Sequence, residues 1–289
     1  MRACCDRFRR SCHALNSQVR QKSGRTNGEK MPSSVLVERR GRVGIVSLNR
    51  PERHNAMTDE MTALMRSGFA ELLADPQIRS LVVRGEGKSF CSGRDTTVLG
   101  TRVHDEGHFT FLRRGQEVRM SMYESPKPIV AALRGYAIGG GAEIALACDI
   151  RVATADLQMA LPEINFGLVT DTGGSQALTA IAGPSRAKYM ILTGRKVDAQ
   201  TLLNWGAIDF IVEDDKLEET AFEIAEEIAS KPPVAVAMGK QLIELVYGST
   251  IRSGIRQELI AQVALFGTED YKEAGSARRE KRKPDFKGR

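Results

Sequence analysis

The sequence has few cysteines, and none lies in a pattern that cross-links a chain or binds a metal. Only five of the 289 residues are cysteines, an odd number without a C-x-x-C pair. They are Cys4, Cys5, Cys12, Cys91 and Cys148. Neither a disulfide framework nor a zinc site is therefore expected, and a reducing compartment is predicted. Cys91 and Cys148 are interpreted as small packing residues.

Long apolar runs are also missing. The run from Ile129 to Leu133 is far shorter than the roughly 20 apolar residues that cross a membrane. No membrane partner is therefore predicted. Residues 1–30 contain no hydrophobic segment like that of a secretory signal, so secretion is not expected.

The net charge of +6 comes from the two ends of the chain. Residues 1–30 carry eight Lys or Arg and two acids, so residues 31–289 carry 34 charged residues of each sign. Within that body, residues 271–289 hold eight bases and three acids. Basic ends are typical of solvated tails, and nucleic acid is not expected as a partner. An RNA-binding protein stays open as an alternative, although the net-neutral body argues against it.

Residues 1–30 lack apolar periodicity and are predicted to form a basic, disordered extension. Two explanations stay open. Many Arg residues with few acids are typical of a mitochondrial transit peptide, or Met31 is the true start of the protein. The second explanation is favoured, which predicts a cytoplasmic protein with a mitochondrial location as the alternative.

From Met31 onward, strand and helix patterns follow one another. Strands are predicted at 35–38, 43–48, 81–83, 129–133 and 150–153 from apolar alternation or short apolar runs. Helices are predicted after the N-cap residue Thr58, around 105–123, from about Ala142, and at 174–182, 185–193, 198–204, 216–230, 233–247 and 252–267. This order predicts an α/β core followed by an entirely helical final third.

Three segments carry residues typical of a catalytic site, namely 89–95, 135–149 and 161–176. The second contains consecutive glycines at 139–141 that open a predicted helix. Backbone N–H groups at a helix N-terminus are unpaired and lie at the positive end of the helix dipole, so they can stabilise an oxyanion. Glu143 lies close to that position, where a carboxylate suits acid–base chemistry. Alternatively, the glycines only permit close packing and Glu143 stabilises the helix.

Together these segments resemble the crotonase, or enoyl-CoA hydratase/isomerase, family. The resemblance covers nearly all of residues 35–289. Besides the three segments it includes the stretch from Asn49 to Ala56, the stretch from Leu192 to Arg195 and the closing residues 281–289. These motifs keep the family's spacing throughout.

The resemblance implies an α/β fold, a crotonase-like spiral of ββα units over residues 31–220. A C-terminal helical region, residues 221–289, is expected to follow and to pack on neighbouring subunits. A homotrimer or a dimer of trimers is therefore expected.

The resemblance also implies how a substrate is bound. The backbone N–H groups of Arg94 and Gly140 are expected to form an oxyanion hole for the thioester oxygen of an acyl-CoA. The substrate-binding residues are expected to be Arg53, Ala56, Arg94, Asp95, Thr96, Thr97, Gly139 and Gly140. Coenzyme A is part of this substrate, and no metal or redox cofactor is expected.

Glu143 and Glu163 match the two glutamates that flank the double bond in the family's hydratases. In that arrangement they hold a water molecule between them. One carboxylate takes its proton as hydroxide adds to C3, and the enolate is protonated at C2 from the Glu163 side. Because family members with other chemistry often lack one or both acids, the resemblance implies an enoyl-CoA hydratase acting on a 2-enoyl-CoA.

The segment between Glu163 and the paired glycines at 173–174 departs from the hydratase pattern. Typical hydratases carry proline, glycine and alanine there, whereas this chain has Thr170, Asp171 and Thr172. Aspartate at this position resembles dienoyl-CoA isomerases and some ring-opening isomerases, in which it can shuttle a proton.

Two interpretations of Asp171 therefore stay open. It caps the helix that follows, since aspartate is a favoured N-cap residue. Alternatively, it joins Glu143 and Glu163 in a pocket of three acids, one of which titrates high because like charges crowd it. The second interpretation would make the chain an enoyl-CoA or dienoyl-CoA isomerase.

Overall fold

A computed structural model describes residues 33–98 and 107–289. The predicted extension, residues 1–30, lies outside the described residues, as does the start of the helix predicted around 105–123. The transit-peptide and alternative-start interpretations therefore stay predictions.

Strands and helices alternate up to the last strand, and helices alone follow it in the described chain. The strands are β1 (Val35–Arg40), β2 (Val43–Leu48), β3 (Ser80–Gly85), β4 (Ile129–Leu133), β5 (Tyr136–Ile138), β6 (Ile150–Thr154), β7 (Gln158–Ala160), β8 (Val197–Asp198) and β9 (Phe210–Val212). The helices are α1 (Asp59–Ala74), α2 (His108–Tyr123), α3 (Gly140–Leu146), α4 (Gly174–Ala182), α5 (Pro184–Thr193), α6 (Ala199–Trp205), α7 (Leu217–Ala229), α8 (Pro233–Glu244), α9 (Ile251–Phe266) and α10 (Glu269–Glu280).

The larger sheet has the strand order β1-β2-β3-β4-β6-β9. β1 and β2 form the predicted antiparallel hairpin, and each later pair is parallel. In the register of the sheet, Val82 lies opposite Ile45 on one side and Val130 on the other. Because the carboxyl ends of parallel strands meet at one edge, the loops after β2, β3 and β4 are brought together there.

A smaller sheet stands beside this edge. Its order is β5-β7-β8, with β5 parallel to β7 and β7 antiparallel to β8. A parallel bridge between Cys91 and Ala137 attaches the loop after β3 to β5. The loop therefore runs as an extra short strand against the smaller sheet.

Both faces of the larger sheet are buried, which explains the continuous apolar runs of its parallel strands. Leu81 and Val83 of β3 lie in one apolar cluster together with residues of α1 and α3. Val82, on the opposite face, packs in a second cluster with Phe222 and Ala225 of α7. The alternation follows from the period of two in a β-strand.

Asp149, which follows α3, ties a C-terminal helix to the core. Its Oδ2 accepts hydrogen bonds from the Ile129 N–H at 2.7 Å and from Lys240 Nζ at 3.0 Å. Lys240 lies in α8 and also donates to the Met122 carbonyl at 3.3 Å. Since a buried ammonium is costly unless it is paired, this contact fixes α8 against the ends of β4 and α2.

The prediction of an entirely helical final third is wrong. β8 and β9 lie in it, and β9 extends the larger sheet by pairing with β6. β8 has two residues and β9 has three, so neither is long enough to show a period of two in the sequence. The start of α3 also differs from the prediction, because the helix begins at Gly140 rather than near Ala142.

The interpretation of the C-terminal end as a solvated tail is also wrong. Phe286 is only 7% exposed, and its carbonyl accepts a hydrogen bond from Arg79 Nη2. The N–H groups of Lys287 and Gly288 donate to Asp270, which is buried in the first turn of α10. The last residues are therefore packed against the domain, and their positive charges lie beside acids.

The surface of α9 is apolar along one side. Ile251, Ile255, Leu259 and Val263, every fourth residue, are each more than half exposed. We call these four residues the α9 stripe. None of the helices in the described part of the chain is long and apolar enough to span a membrane.

Candidate active site

The site is built where the loop after β3 runs beside β5. The Cys91 N–H donates to the Tyr136 carbonyl at 2.8 Å, and the Ile138 N–H donates to the Cys91 carbonyl at 2.9 Å. Two glycines make this approach possible. A Cβ on Gly93 would lie 2.7 Å from the Ile138 oxygen, and one on Gly141 would lie 2.4 Å from the Cys91 oxygen. A side chain at either glycine would therefore force the two segments apart.

The backbone around Arg94 is held by Met57. The Met57 N–H donates to Gly93 and its carbonyl accepts from the Asp95 N–H, so the groups on both sides of Arg94 are used. Gly140 is the first residue of α3, where the N–H has no intrahelical acceptor. Neither the Arg94 nor the Gly140 N–H is bonded to a carbonyl oxygen of the described residues. Both predicted oxyanion donors are therefore available to a ligand.

The turn into α3 requires glycine. Gly139 has φ 53° and ψ −123°, a conformation that L side chains rarely adopt. A Cβ on Gly140 would lie 2.3 Å from Met57 Cε. The glycines therefore permit close packing, as one interpretation holds. They also leave unpaired N–H groups at the start of α3, as the other interpretation holds.

Glu143 is buried and held by three donors. It is 2% exposed. Its Oε1 accepts from the Thr172 N–H at 2.9 Å and the Gly174 N–H at 3.0 Å, while its Oε2 accepts from Thr172 Oγ1 at 2.6 Å. Both carboxylate oxygens are thus fixed in position.

The same contacts show that Asp171 does not cap α4. The N-cap residue is Gly173, which has no side chain to accept a hydrogen bond. Glu143 takes the Gly174 N–H, and Thr170 Oγ1 accepts from the Ser175 N–H at 3.2 Å. The cap interpretation of Asp171 is therefore wrong, because a glutamate 31 residues before Gly174 occupies the helix start.

Glu163 begins a short turn directly after Pro162. Its Oε1 lies beside the glycine turn, since a Cβ on Gly139 would be 2.9 Å from it. Its Oε2 is buried and has no hydrogen-bond partner among the described residues. Burial, with repulsion from Glu143 and Asp171 as a smaller cause, raises the pKa of Glu163 to about 7.

Asp171 completes a group of three acids. The residue is exposed to solvent, yet partial burial of its carboxyl group and then repulsion from Glu143 raise its pKa. Its carbonyl accepts from Gln116 Nε2 of α2 at 2.8 Å, which fixes its backbone. Glu163 is the acid of the group whose pKa is raised to about 7, as expected, although burial raises it more than repulsion from the other two acids does.

The other predicted substrate-binding residues lie on two joined loops. Ser92 connects the loops, since its N–H donates to the His54 carbonyl at 2.9 Å and its Oγ to the Arg53 carbonyl at 3.3 Å. Of the predicted residues, Arg53, Thr96 and Thr97 are exposed, while Ala56 is half-buried.

Two charged residues on these loops have protein partners. The Arg94 guanidinium pairs with Asp59 at 2.7 Å. Asp95 is buried, accepts from Thr97 Oγ1 at 2.7 Å and pairs with Arg50 at 3.2 Å. These bonds, those from Thr97 first, lower the pKa of Asp95. Asp95 therefore braces the loops through bonds within the protein.

Sequence patterns did not identify two residues of the site. Thr172, noted only as a departure, donates to Glu143 through both its N–H and its hydroxyl. Arg119 of α2 is 5% exposed and donates through Nη2 to the Gly140 carbonyl at 3.1 Å. Its neighbours Val118 and Met122 are buried, so an arginine on the apolar side of a helix was the available signal.

Cys91 and Cys148 are free and buried, in agreement with their interpretation as packing residues. Burial raises the pKa of the Cys91 thiol to about 11 and that of Cys148 to about 12, so neither thiol is activated. Among the described residues, no group of three His, Cys, Asp or Glu side chains is arranged to hold a metal ion.

The sequence matches the enoyl-CoA hydratase/isomerase family over residues 38–289. A short-chain-enoyl-CoA hydratase of Clostridium acetobutylicum is 35% identical over 260 residues, which cover 89% of this chain and 99% of that protein. An (E)-benzylidenesuccinyl-CoA hydratase of Thauera aromatica is 37% identical over 257 residues, covering 88% of this chain and 99% of the relative.

Solved structures match the fold as well. An enoyl-CoA hydratase from Bacillus anthracis superposes with a TM-score of 0.83 at 31% sequence identity. The superposition covers 89% of this chain and 100% of that structure. The predicted crotonase-like fold is thereby confirmed.

Replacing Glu163 by Gln is expected to stabilise the protein at alkaline pH. Because the pKa of Glu163 is raised from 4.5 to about 7 by folding, ionising it favours the unfolded state. The advantage of Glu163→Gln should grow as pH rises from 4.5 through about 7. It should reach roughly 2 kcal/mol once partial exposure is allowed for. Urea unfolding across this pH range measures it.

The matched control is Glu223→Gln, which removes an exposed carboxylate on α7. Its stability difference from the wild type should not change with pH over the same range. An advantage of Glu163→Gln that is constant with pH would contradict the burial of an uncompensated carboxyl group.

Proposed function

Because the chain belongs to the enoyl-CoA hydratase/isomerase family, we propose that it is an enoyl-CoA hydratase that adds water across the 2,3 double bond of a 2-enoyl-CoA. The observation that carries the proposal is the pairing of Glu143, fixed by three donors, with Glu163, whose pKa is raised to about 7. Two relatives that share about a third of the sequence over nearly the whole chain are hydratases of CoA thioesters.

The N–H groups of Arg94 and Gly140 are proposed to hold the thioester oxygen. As hydroxide bonds to C3, the C2–C3 π electrons move toward the carbonyl and negative charge grows on that oxygen. Donors fixed beforehand at this position stabilise the charge, and losing one such donor typically costs about 3–4 kcal/mol in the barrier. Both donors belong to the backbone, so the Arg94 side chain stays free to pair with Asp59.

The two glutamates are proposed to divide the proton transfers. Glu143, whose oxygens accept only from Thr172 and Gly174 in the described chain, is a fixed acceptor for the proton that water loses. Glu163 carries a proton in much of the population at neutral pH and donates it to C2 of the enolate. The proton then returns from Glu143 to Glu163 through solvent. Each cycle therefore adds one water and needs no metal or redox cofactor, while coenzyme A stays part of the substrate.

Incubation in H₂¹⁸O tests the reaction. The wild type is expected to incorporate one labelled water into a 2-enoyl-CoA, measured by mass spectrometry over a panel of acyl chain lengths. Glu163→Gln should lower turnover by about 100-fold or more, because the acid is lost while the shape is kept. The wild-type kcat/KM should fall as pH rises through about 7, where Glu163 loses its proton.

Glu223→Gln serves again as the control and should keep wild-type turnover. Absence of label with every 2-enoyl-CoA of the panel would refute the hydratase. Turnover by folded Glu163→Gln at the wild-type rate would refute the assignment of the acid.

A second activity is favoured by Asp171. Its carboxyl group does not cap α4, and it lies close enough to Glu143 and Glu163 to interact with them electrostatically. Burial and then repulsion from Glu143 raise its pKa. A third acid at this place can take a proton from one carbon of a dienoyl-CoA and return it to another. We propose isomerisation of a 3,5-dienoyl-CoA as the second candidate function.

Isomerisation leaves the mass unchanged and moves the double bonds, which ultraviolet absorption detects. Asp171→Asn is expected to lose dienoyl-CoA isomerisation by about 100-fold while keeping hydration of 2-enoyl-CoA. Wild-type protein that leaves 3,5-dienoyl-CoA unchanged would refute this second function. An Asp171→Asn variant that isomerises at the wild-type rate would refute the assignment of Asp171 to this reaction.

We also propose that the chain assembles as a homotrimer or a dimer of trimers. The α9 stripe supports this, because an exposed line of four large apolar side chains is costly in water. Native mass spectrometry should give a trimer or hexamer, and Ile255→Asp with Leu259→Asp should shift it toward monomer. The control Gln257→Asp adds one charge to an exposed polar position of α9 and should leave the oligomeric state unchanged. A monomeric wild type would refute the proposal.

A further inference from the structure

Arg119 is a buried cation beside the glycine turn. Its side chain is 5% exposed. Nη2 donates to the Gly140 carbonyl at 3.1 Å, and Nε is buried without a hydrogen-bond partner among the described residues. A guanidinium buried here without an ion-pair partner among the described residues is destabilising, because the charge loses its hydration. An apolar side chain would fill the same place at lower cost.

The groups that affect the charge of Arg119 lie around the site. They are Glu143 of α3, Cys91 of the loop after β3, Tyr123 of α2 and Cys148 after α3. Glu143 is the carboxylate among them, and no salt bridge to Arg119 is formed by the described residues. Arg119 also favours the charged form of Asp171. Its positive charge therefore acts on the acids of the site through space.

Backbone bonds hold the glycine turn on one side, since the Gly139 N–H donates to the Ala160 carbonyl at 2.8 Å. Residues 139–141 carry no side chains, and the N-cap residue of α3 makes no side-chain hydrogen bond. Arg119 is anchored in α2, whose neighbouring residues Val118 and Met122 are buried in the core. Its bond to the Gly140 carbonyl thus connects the turn to a rigid helix.

We propose that Arg119 is a positioning residue for the proposed hydration. Its bond to the carbonyl of Gly140 holds the residue whose N–H forms the oxyanion hole, and its charge offsets that of Glu143. In a site shielded from water, a cation fixed before the reaction also favours the negative charge that grows on the thioester oxygen. The inference rests on the proposed function, since the hydrogen bond and the charge of Arg119 both act on the enolate of the proposed hydration.

Three variants separate the two contributions. Arg119→Lys keeps the charge, Arg119→Gln keeps a donor for the Gly140 carbonyl without the charge, and Arg119→Met keeps only the bulk. Arg119→Met is expected to lower kcat roughly tenfold to hundredfold with KM little changed, because the Gly140 N–H would no longer be held in position. Arg119→Lys should recover most of kcat, and Arg119→Gln should lie between the two.

A spectroscopic measurement distinguishes positioning from a structural role. A cinnamoyl-CoA with an electron-donating ring substituent absorbs further to the red when its thioester carbonyl is polarised. The wild type should shift the absorption of this bound probe, and Arg119→Met should reduce the shift. Val118→Ala, a core truncation on the same helix, should lower stability but keep the shift and the kcat of the folded fraction.

Folded Arg119→Met with the wild-type kcat and probe shift would overturn the proposal. If Arg119→Met does not fold, the same result with Arg119→Gln would overturn the role of the charge. A wild type that shifts the probe but incorporates no labelled water would refute the hydratase, while the probe shift in the variants still decides on Arg119.

Discussion

The site depends on one close contact between two backbone segments. The loop after β3 and the glycine turn before α3 approach so nearly that a Cβ on Gly93 or Gly141 would meet a carbonyl oxygen at 2.7 or 2.4 Å. This contact brings the loop that carries the Arg94 N–H beside the helix start that carries the Gly140 N–H, and neither group is bonded to a carbonyl oxygen of the described residues. The parallel order of the larger sheet makes the contact possible, because it delivers both loops to the same edge.

Charge is distributed unevenly around that contact. Glu143 is fixed by donors from the start of α4, whereas Glu163 has a buried oxygen with no partner. In the proposed hydration, this difference lets one carboxyl group act as a fixed proton acceptor and the other as a proton donor. Arg119 supplies positive charge on the side of Glu143, whereas burial and two neighbouring acids raise the pKa of Glu163.

Local sequence patterns predicted the parts of this arrangement that depend on local chemistry. The hairpin of β1 and β2 and the glycine start of α3 follow from short motifs. The pairing of Glu143 with Glu163 was implied by the family resemblance. The cap at α4 was predicted wrongly because its acceptor, Glu143, is distant in sequence. The strands β8 and β9 were missed for a related reason, since each is defined by a partner strand and not by its own residues.

The double use of Glu143 links the stability of α4 to the chemistry of the site. The Thr172 hydroxyl donates to Glu143 and Thr170 Oγ1 accepts from the Ser175 N–H, so Asp171 lies between two anchored neighbours. An aspartate that capped the helix itself would have its oxygens bonded to N–H groups and would be unable to meet a substrate. The geometry that prevents Asp171 from capping α4 therefore also leaves its carboxyl group able to meet a substrate. In the proposed isomerisation, Asp171, just before α4, is the residue that distinguishes a dienoyl from an enoyl thioester.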